Sequence, residues 1–395
     1  MKKMKMTTKV NHALWILSLV MSLMTVKVTL ANDFQEAEDR LSDYSEWLKA
    51  WEPASGSGEE DKEGWNSINN PFSLNSQFSS NFRQLPTSGA ISFAPWSDSY
   101  WPSYEGGIAY RWYNSASEYY RLPFNRYLLS DLRIRSMPIN QLATLSPAEK
   151  YDIYMGDFTY PTVKRELRRT GRNAQRWEGI CHGWAPATLN FPEEPMPIVL
   201  TGPSGIPVPF GASDIKALLS YYQGELSHAP TAVLGSRCDG KTYRHSMVSS
   251  ACRDVNPGAF HIILTNLIGP GKQSFVADLS AGKEVWNYPI YSYNTRVTRF
   301  HRYPSRWAAQ GTASEIEVRT DLVFSVETSS HWQRNGHSFN QKSLYYTLEL
   351  DRGGNIIGGD WLSSDHPDFV WVQARPVFTG YFAEIENIYN LSIHQ

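Results

Sequence analysis

Along the first half of the chain, apolar residues recur at helical spacing. In FQEAEDRLSDYSEWLKAW, residues Phe34, Ala37, Leu41, Tyr44, Leu48 and Trp51 fall on one face of a helix whose outer face is acidic. SPAEKYDIYM predicts a second helix, with Ser146 as N-cap and Glu149 three residues on completing a capping box. TVKRELRRTGR predicts a third, stopped by Gly171, and SDIKALLSYYQGEL a fourth, capped by Ser213. FHIILTNL and SFVADLS are short apolar runs flanking a Gly-Pro-Gly turn, and their pattern predicts two strands of a hairpin. After about Ser314 the period changes to two: EIEVRTDLVFSVE, SLYYTLELD, NIIGGDWL and FVWVQ read as strands of a meander or small sandwich. The expected fold class is α+β, with helices and an antiparallel sheet in residues 71–305 and a β-rich C-terminal region over 306–395.

Two segments stand apart from this pattern. Residues 1–31 carry Lys2, Lys3, Lys5 and Lys9 ahead of the apolar run ALWILSLVMSLM, too short to span a bilayer comfortably, which reads as a signal peptide. Export would deliver the protein to the periplasm or the medium. Residues 32–70 hold the acidic helix and the tether SGSGEEDKEG, a possible pro-segment. No later stretch is apolar enough for a membrane span. Removing the leader, with Lys27 as its fifth lysine, takes the formal charge from −2 to −7. Nucleic acid is therefore not expected as a partner. With 13% aromatic residues the chain has apolar surface to bury despite a mean hydropathy of −0.42. The run Lys164, Arg165, Arg168, Arg169, Arg172 and Arg176 suits an acidic ligand or, more simply, a solvated helix face.

Chemistry enters with the three cysteines. Cys238 and Cys252 sit in a polar loop, GSRCDGKTYRHSMVSSAC, of the kind a disulfide closes, for a gain of roughly 3 kcal/mol. Cys181 is left over, in WEGICHGWAPA. Pro186 is comfortable only in a first turn, so a helix beginning near His182 or Gly183 would put the Cys181 sulfur at a helix N-terminus, where thiolate is favoured. Gly179 and Gly183 would leave room for a substrate. In the expected hairpin His261 faces Ser280 with Asp278 diagonal to it, so His261 would be the base for Cys181 and Asp278 its orienting acid. His182 and His245 are rival bases, His182 being expected to point away along its helix. Trp184 and Trp286 are candidate walls of a substrate channel, and Gln175, six residues before the cysteine, stands where papain-like proteases, which this Cys, His, Asp order resembles, carry an oxyanion-hole glutamine. No metal or cofactor motif is present: there is no HExxH, CxxC, EF-hand or phosphate loop.

Nucleophile at a helix start, then base and acid on adjacent strands, resembles a papain-like core. WEGICHGWAPA, ACRDVNPGAFHIILTN, FVADLSAGKEVWNYP, IIGGDW and HPDF together resemble the transglutaminase elicitor family, secreted enzymes of plant-pathogenic oomycetes with bacterial relatives. Val285, Trp286, Asn287 and Pro289 match the V-W-N-x-P core of the family's plant-recognised segment, while Tyr291 and Asn294 stand where the family carries basic side chains. The resemblance implies an exported protein-glutamine γ-glutamyltransferase that joins glutamine and lysine side chains of protein substrates through a cysteine thioester. Calcium dependence and oligomeric state stay open. A papain-like peptidase, amidase or glutamine deamidase is the alternative, and a non-catalytic elicitor a second.

Overall fold

The computed structural model describes residues 65, 67–236, 254–280 and 284–394. The leader, the acidic helix, its tether, His245 and the Cys238–Cys252 pair lie outside the described residues.

Among the described residues, six helices have nine residues or more: α1 Pro147–Met155, α2 Pro161–Arg169, α3 Cys181–Asn190, α4 Ala212–Tyr221, α5 Pro257–Ile268 and α6 Glu384–Ile393. The ten strands are β1 Ser88–Ala90, β2 Ile198–Thr201, β3 Pro207–Phe210, β4 Thr231–Gly235, β5 Val276–Asp278, β6 Asn287–His301, β7 Ser314–Ser325, β8 Phe339–Leu350, β9 Ile356–Gly358 and β10 Phe369–Gln373. β2 and β3 form a separate antiparallel pair. The rest make one antiparallel sheet in the order β4-β10-β5-β6-β7-β8-β9, with β1 added to β6. The molecule is thus α+β, as its periodicities predict. The sheet nevertheless crosses the boundary expected at residue 305: β6 pairs with β7, and β10, late in the chain, inserts between β4 and β5.

Strand alternation sorts the interior into two cores. On β5, Val276 points into one and Ala277 into the other; on β10, Trp371 and Val370 divide in the same way. The first core holds side chains of α1, α3, α4 and α6, including Tyr151, Trp184, Leu218 and Tyr389. The second holds α5 and the inner face of β6 to β8, including Phe260, Ile263, Val318 and Tyr346. Helices α3 and α5 therefore cover opposite faces of the sheet.

Local signals explain the helix ends. The capping box forms at α1, where the Ser146 hydroxyl accepts from Glu149 N–H and the Glu149 carboxylate accepts from Ser146 N–H at 3.0 Å. α4 starts one residue before Ser213, and its cap is the Asp214 carboxylate, which accepts from Gly211 N–H at 2.7 Å. α2 ends on extended Thr170, so Gly171 is not its stop. The expected hairpin over residues 260–280 does not form. Asn256 accepts from the N–H groups of Gly258 and Ala259, and Pro257 occupies the first helical position; together they start α5, in which His261 is a helical residue.

Candidate active site

The first turn of α3 is held from outside. Ile180 N–H donates to the Tyr100 carbonyl at 2.7 Å, and the Ile180 carbonyl accepts from Gly183 and Trp184 N–H. α3 therefore begins at Cys181 itself, one residue earlier than the sequence suggested, and Pro186 lies beyond the first turn. Cys181 is a free, buried thiol at the helix N-terminus, where backbone N–H groups and the macrodipole stabilise negative charge. The Asn287 amide Nδ2 lies 3.5 Å from its Sγ, and the Val285 carbonyl lies 3.7 Å away. Asn287 is in turn fixed by the Trp371 indole, which donates to Oδ1 at 2.9 Å. The sulfur thus sits against the start of β6, with an amide N–H aimed at it.

His182, adjacent in sequence, does not point away from the site. Burial pulls its pKa down, but the Cys181 sulfur and the Glu225 carboxylate outweigh burial and hold it at about 9. Its Nε2 lies 3.2 Å from Glu225 Oε1, an ion-pair distance. Glu225 comes from a π-helical turn, Tyr222–Leu226, that continues α4, a distortion common at functional sites. Burial pushes the Glu225 carboxyl up, but Arg169 and His182 hold it ionised, at about 2. Arg169 also pairs with buried Glu166 at 2.8 Å, and its own pKa is raised by the two carboxylates against burial. A charged chain therefore runs Glu166, Arg169, Glu225, His182 and ends at the sulfur.

Two glycines permit that approach. A Cβ on Gly183 would lie 2.1 Å from the Ser220 carbonyl, and one on Gly224 would lie 2.8 Å from Gly183 Cα. Gly183 thus serves the close crossing of α3 and the π turn. Gly179 is packed as well: a Cβ there would lie 2.3 Å from the Tyr100 carbonyl. Neither glycine leaves the space for substrate that the sequence suggested.

The other expected residues separate. Asp278 reaches the site: it faces the same side of the sheet as Val276, pairs in register with Asn287, and its Oδ1 accepts from Trp286 N–H at 3.2 Å and Ser280 Oγ at 3.0 Å. It shapes the segment that carries Asn287. His261 does not reach the site. It belongs to α5 on the opposite face, its Nδ1 is 2.9 Å from the Tyr346 hydroxyl, its ring packs on Phe82, and burial alone drives its pKa down to about 3. Such an imidazole is neutral and enclosed, so it is not the partner of the sulfur. Trp184 is wholly buried in the first core and walls no channel, whereas half-buried Trp286 meets Tyr100 edge-on at 5.5 Å beside the sulfur. Gln175 is exposed in a turn, where its carbonyl accepts from Glu178 N–H. Of the basic run, Arg165 is buried and Arg169 ion-paired, while Lys164, Arg168, Arg172 and Arg176 are exposed.

The sequence offers His182 as a rival base and Asn287 only as part of the V-W-N-x-P segment. Glu225 and Arg169 gave no signal beyond YYQGEL and a basic helix. Both are recognisable only once α2, α3 and the π turn are packed together.

The transglutaminase elicitor family model matches residues 70–383. Among solved structures, the chain is similar to the GP42 transglutaminase from Phytophthora sojae, with a TM-score of 0.60 and 22% identity, over 84% of this chain and 99% of that one. At that identity the likeness shows a shared fold. No curated protein matches the chain.

Proposed function

The chain belongs to the transglutaminase elicitor family, and from that premise we propose that it is an exported protein-glutamine γ-glutamyltransferase of papain-like design, with Cys181 as nucleophile and His182 as its acid and base. The observation that carries this reading is the free, buried Cys181 at a helix start, with the His182 charge and the Asn287 amide both on its sulfur. A thiolate is stabilised by a helix N-terminus, a cation and an N–H donor, and all three converge here.

In the first half-reaction the thiolate attacks the side-chain amide carbon of a protein glutamine. A C–S bond forms, the C–N bond breaks, and ammonia leaves with the His182 proton. Helix-start N–H groups hold the oxyanion. Glu225 keeps the imidazole oriented, as the carboxylate does in a triad. In the second half-reaction a lysine amine captures the thioester: the new C–N bond forms, the C–S bond breaks to return the thiolate, and the amine's proton passes to neutral His182, leaving an isopeptide bond. Export is proposed from the leader, and no described helix is long and apolar enough to cross a membrane.

The test is incubation with a glutamine-donor protein and a dansylated alkylamine. The wild-type protein is expected to release ammonia and incorporate label, and Cys181→Ala to do neither. Peptide cleavage, or ammonia release with water always replacing the amine, would assign hydrolysis instead.

A further inference from the structure

A second carboxyl group near the sulfur has no role in that scheme. Glu327 follows β7, and its backbone is pinned on both sides: Val326 N–H donates to the Ser338 carbonyl and Thr328 N–H to the Asp98 carbonyl, each at 2.9 Å. Asp98 lies two residues before Tyr100, whose carbonyl anchors the residue preceding Cys181. From the other side, Tyr288 follows Asn287 and packs its ring on Phe324 of β7 at 5.0 Å. The Tyr100 and Tyr288 hydroxyls each interact electrostatically with both the Glu327 carboxyl and the Cys181 sulfur, so both phenols lie near each of them. Glu327 itself is half-buried, its Oε1 has no hydrogen-bond partner, and among the described residues no lysine, arginine or histidine pairs with it.

Resting on the acyltransfer reading above, we propose that Glu327 is the receptor for the acceptor substrate: it binds the ε-ammonium of a lysine in a pocket walled by Tyr100, Trp286 and Tyr288 and removes one of its protons. Aromatic faces attract an alkylammonium, and a half-buried carboxylate without a cation of its own completes the site. The protons balance. The ammonium gives one to the Glu327 carboxylate and, as the C–N bond forms and the C–S bond breaks, one to neutral His182. The products are isopeptide, thiolate, imidazolium and neutral Glu327, which then returns its proton to water. Burial raises the Glu327 carboxyl to about 7, which suits a base working near neutrality. Among the described residues, the Tyr100 and Tyr288 phenols interact with it, both raised by burial and uncharged in that range.

The experiment compares wild type with Glu327→Gln in ammonia release and in capture of two acceptors, a dansylated alkylamine, which is a cation, and hydroxylamine, which is neutral. The variant is expected to raise KM for the alkylamine about tenfold or more while ammonia release and hydroxylamine capture stay within about twofold. Unchanged alkylamine capture, or equal loss with both acceptors, overturns the proposal. If the variant does not fold, wild type decides: its KM for total alkylamine should fall as pH rises through about 7, with no such step for hydroxylamine, and a KM without that step refutes the site. Wild type that releases no ammonia refutes the acyltransfer reading beneath it, an outcome that the variant comparison keeps distinct.

Discussion

Two buried histidines, on opposite faces of one sheet, have their ionisation pushed in opposite directions. His182 faces a sulfur and a carboxylate and is held protonated to about pH 9; His261 faces a phenol and a phenylalanine and stays neutral to about pH 3. Both are largely withdrawn from water, so burial alone does not separate them. The neighbours do: an imidazolium persists in the interior only where negative charge outweighs desolvation. The proposed reaction draws on the first face, and His261 packs in the core of the second.

The strongest test of that contrast is to remove each imidazole in turn. His182→Asn should lower the rate of ammonia release by about 10²- to 10⁴-fold, as expected for loss of a general acid and base, whereas His261→Asn should leave it within about tenfold in protein that remains folded. The reverse order would exchange their roles. The pH profile adds a second expectation: the rate should fall as pH rises through about 9, where His182 loses its charge.

Stability against acid gives the next effect. His261 has a folded pKa of about 3 against an ordinary 6.5, so the unfolded chain takes up a proton that the folded chain refuses. Its contribution is complete above 6.5 and lost as pH falls toward 3. Two pH units below 6.5 the loss is about 2–3 kcal/mol, and His261→Asn should flatten that part of a denaturation series. For His182 the sign is opposite: its contribution is present below 6.5 and lost as pH rises through about 9.

Gly183→Ala should cost about 1–3 kcal/mol in unfolding free energy and depress the rate as well, since α3 and the π turn must separate and carry His182 away from Glu225. Rate unchanged in a folded variant would mean that the ion pair is dispensable. The smallest effect is expected for Asn287→Ala, about tenfold in ammonia release, from the loss of one N–H at the sulfur. An unaltered rate would remove the amide from the reaction.

Much of this was legible in the chain. The capping box at α1 and the period-two strands follow from local rules that packing did not override, whereas α3 starts earlier than Pro186 suggested because the Tyr100 carbonyl holds Ile180. The failure over FHIILTNL has a physical reason: an apolar run of eight residues fits a buried strand and a buried helix equally, and the choice is made by what precedes it. Asn256-Pro257 is an N-cap followed by a first-turn proline, and giving those residues full weight would have identified α5. Moving that one element from strand to helix removes His261 from the site. Glu225 was hidden for a different reason, since a π turn carries no periodic signature and its partner at residue 182 is reached only through the crossing of two helices.

Asn287, which touches the sulfur, is held by Trp371. The three residues are distant in the chain, with separations of 106 and 84 positions. A polypeptide still emerging from the ribosome has its thiol long before it has the indole that steadies the amide beside it. The surroundings of the sulfur at residue 181 are therefore completed only when the last strand is inserted.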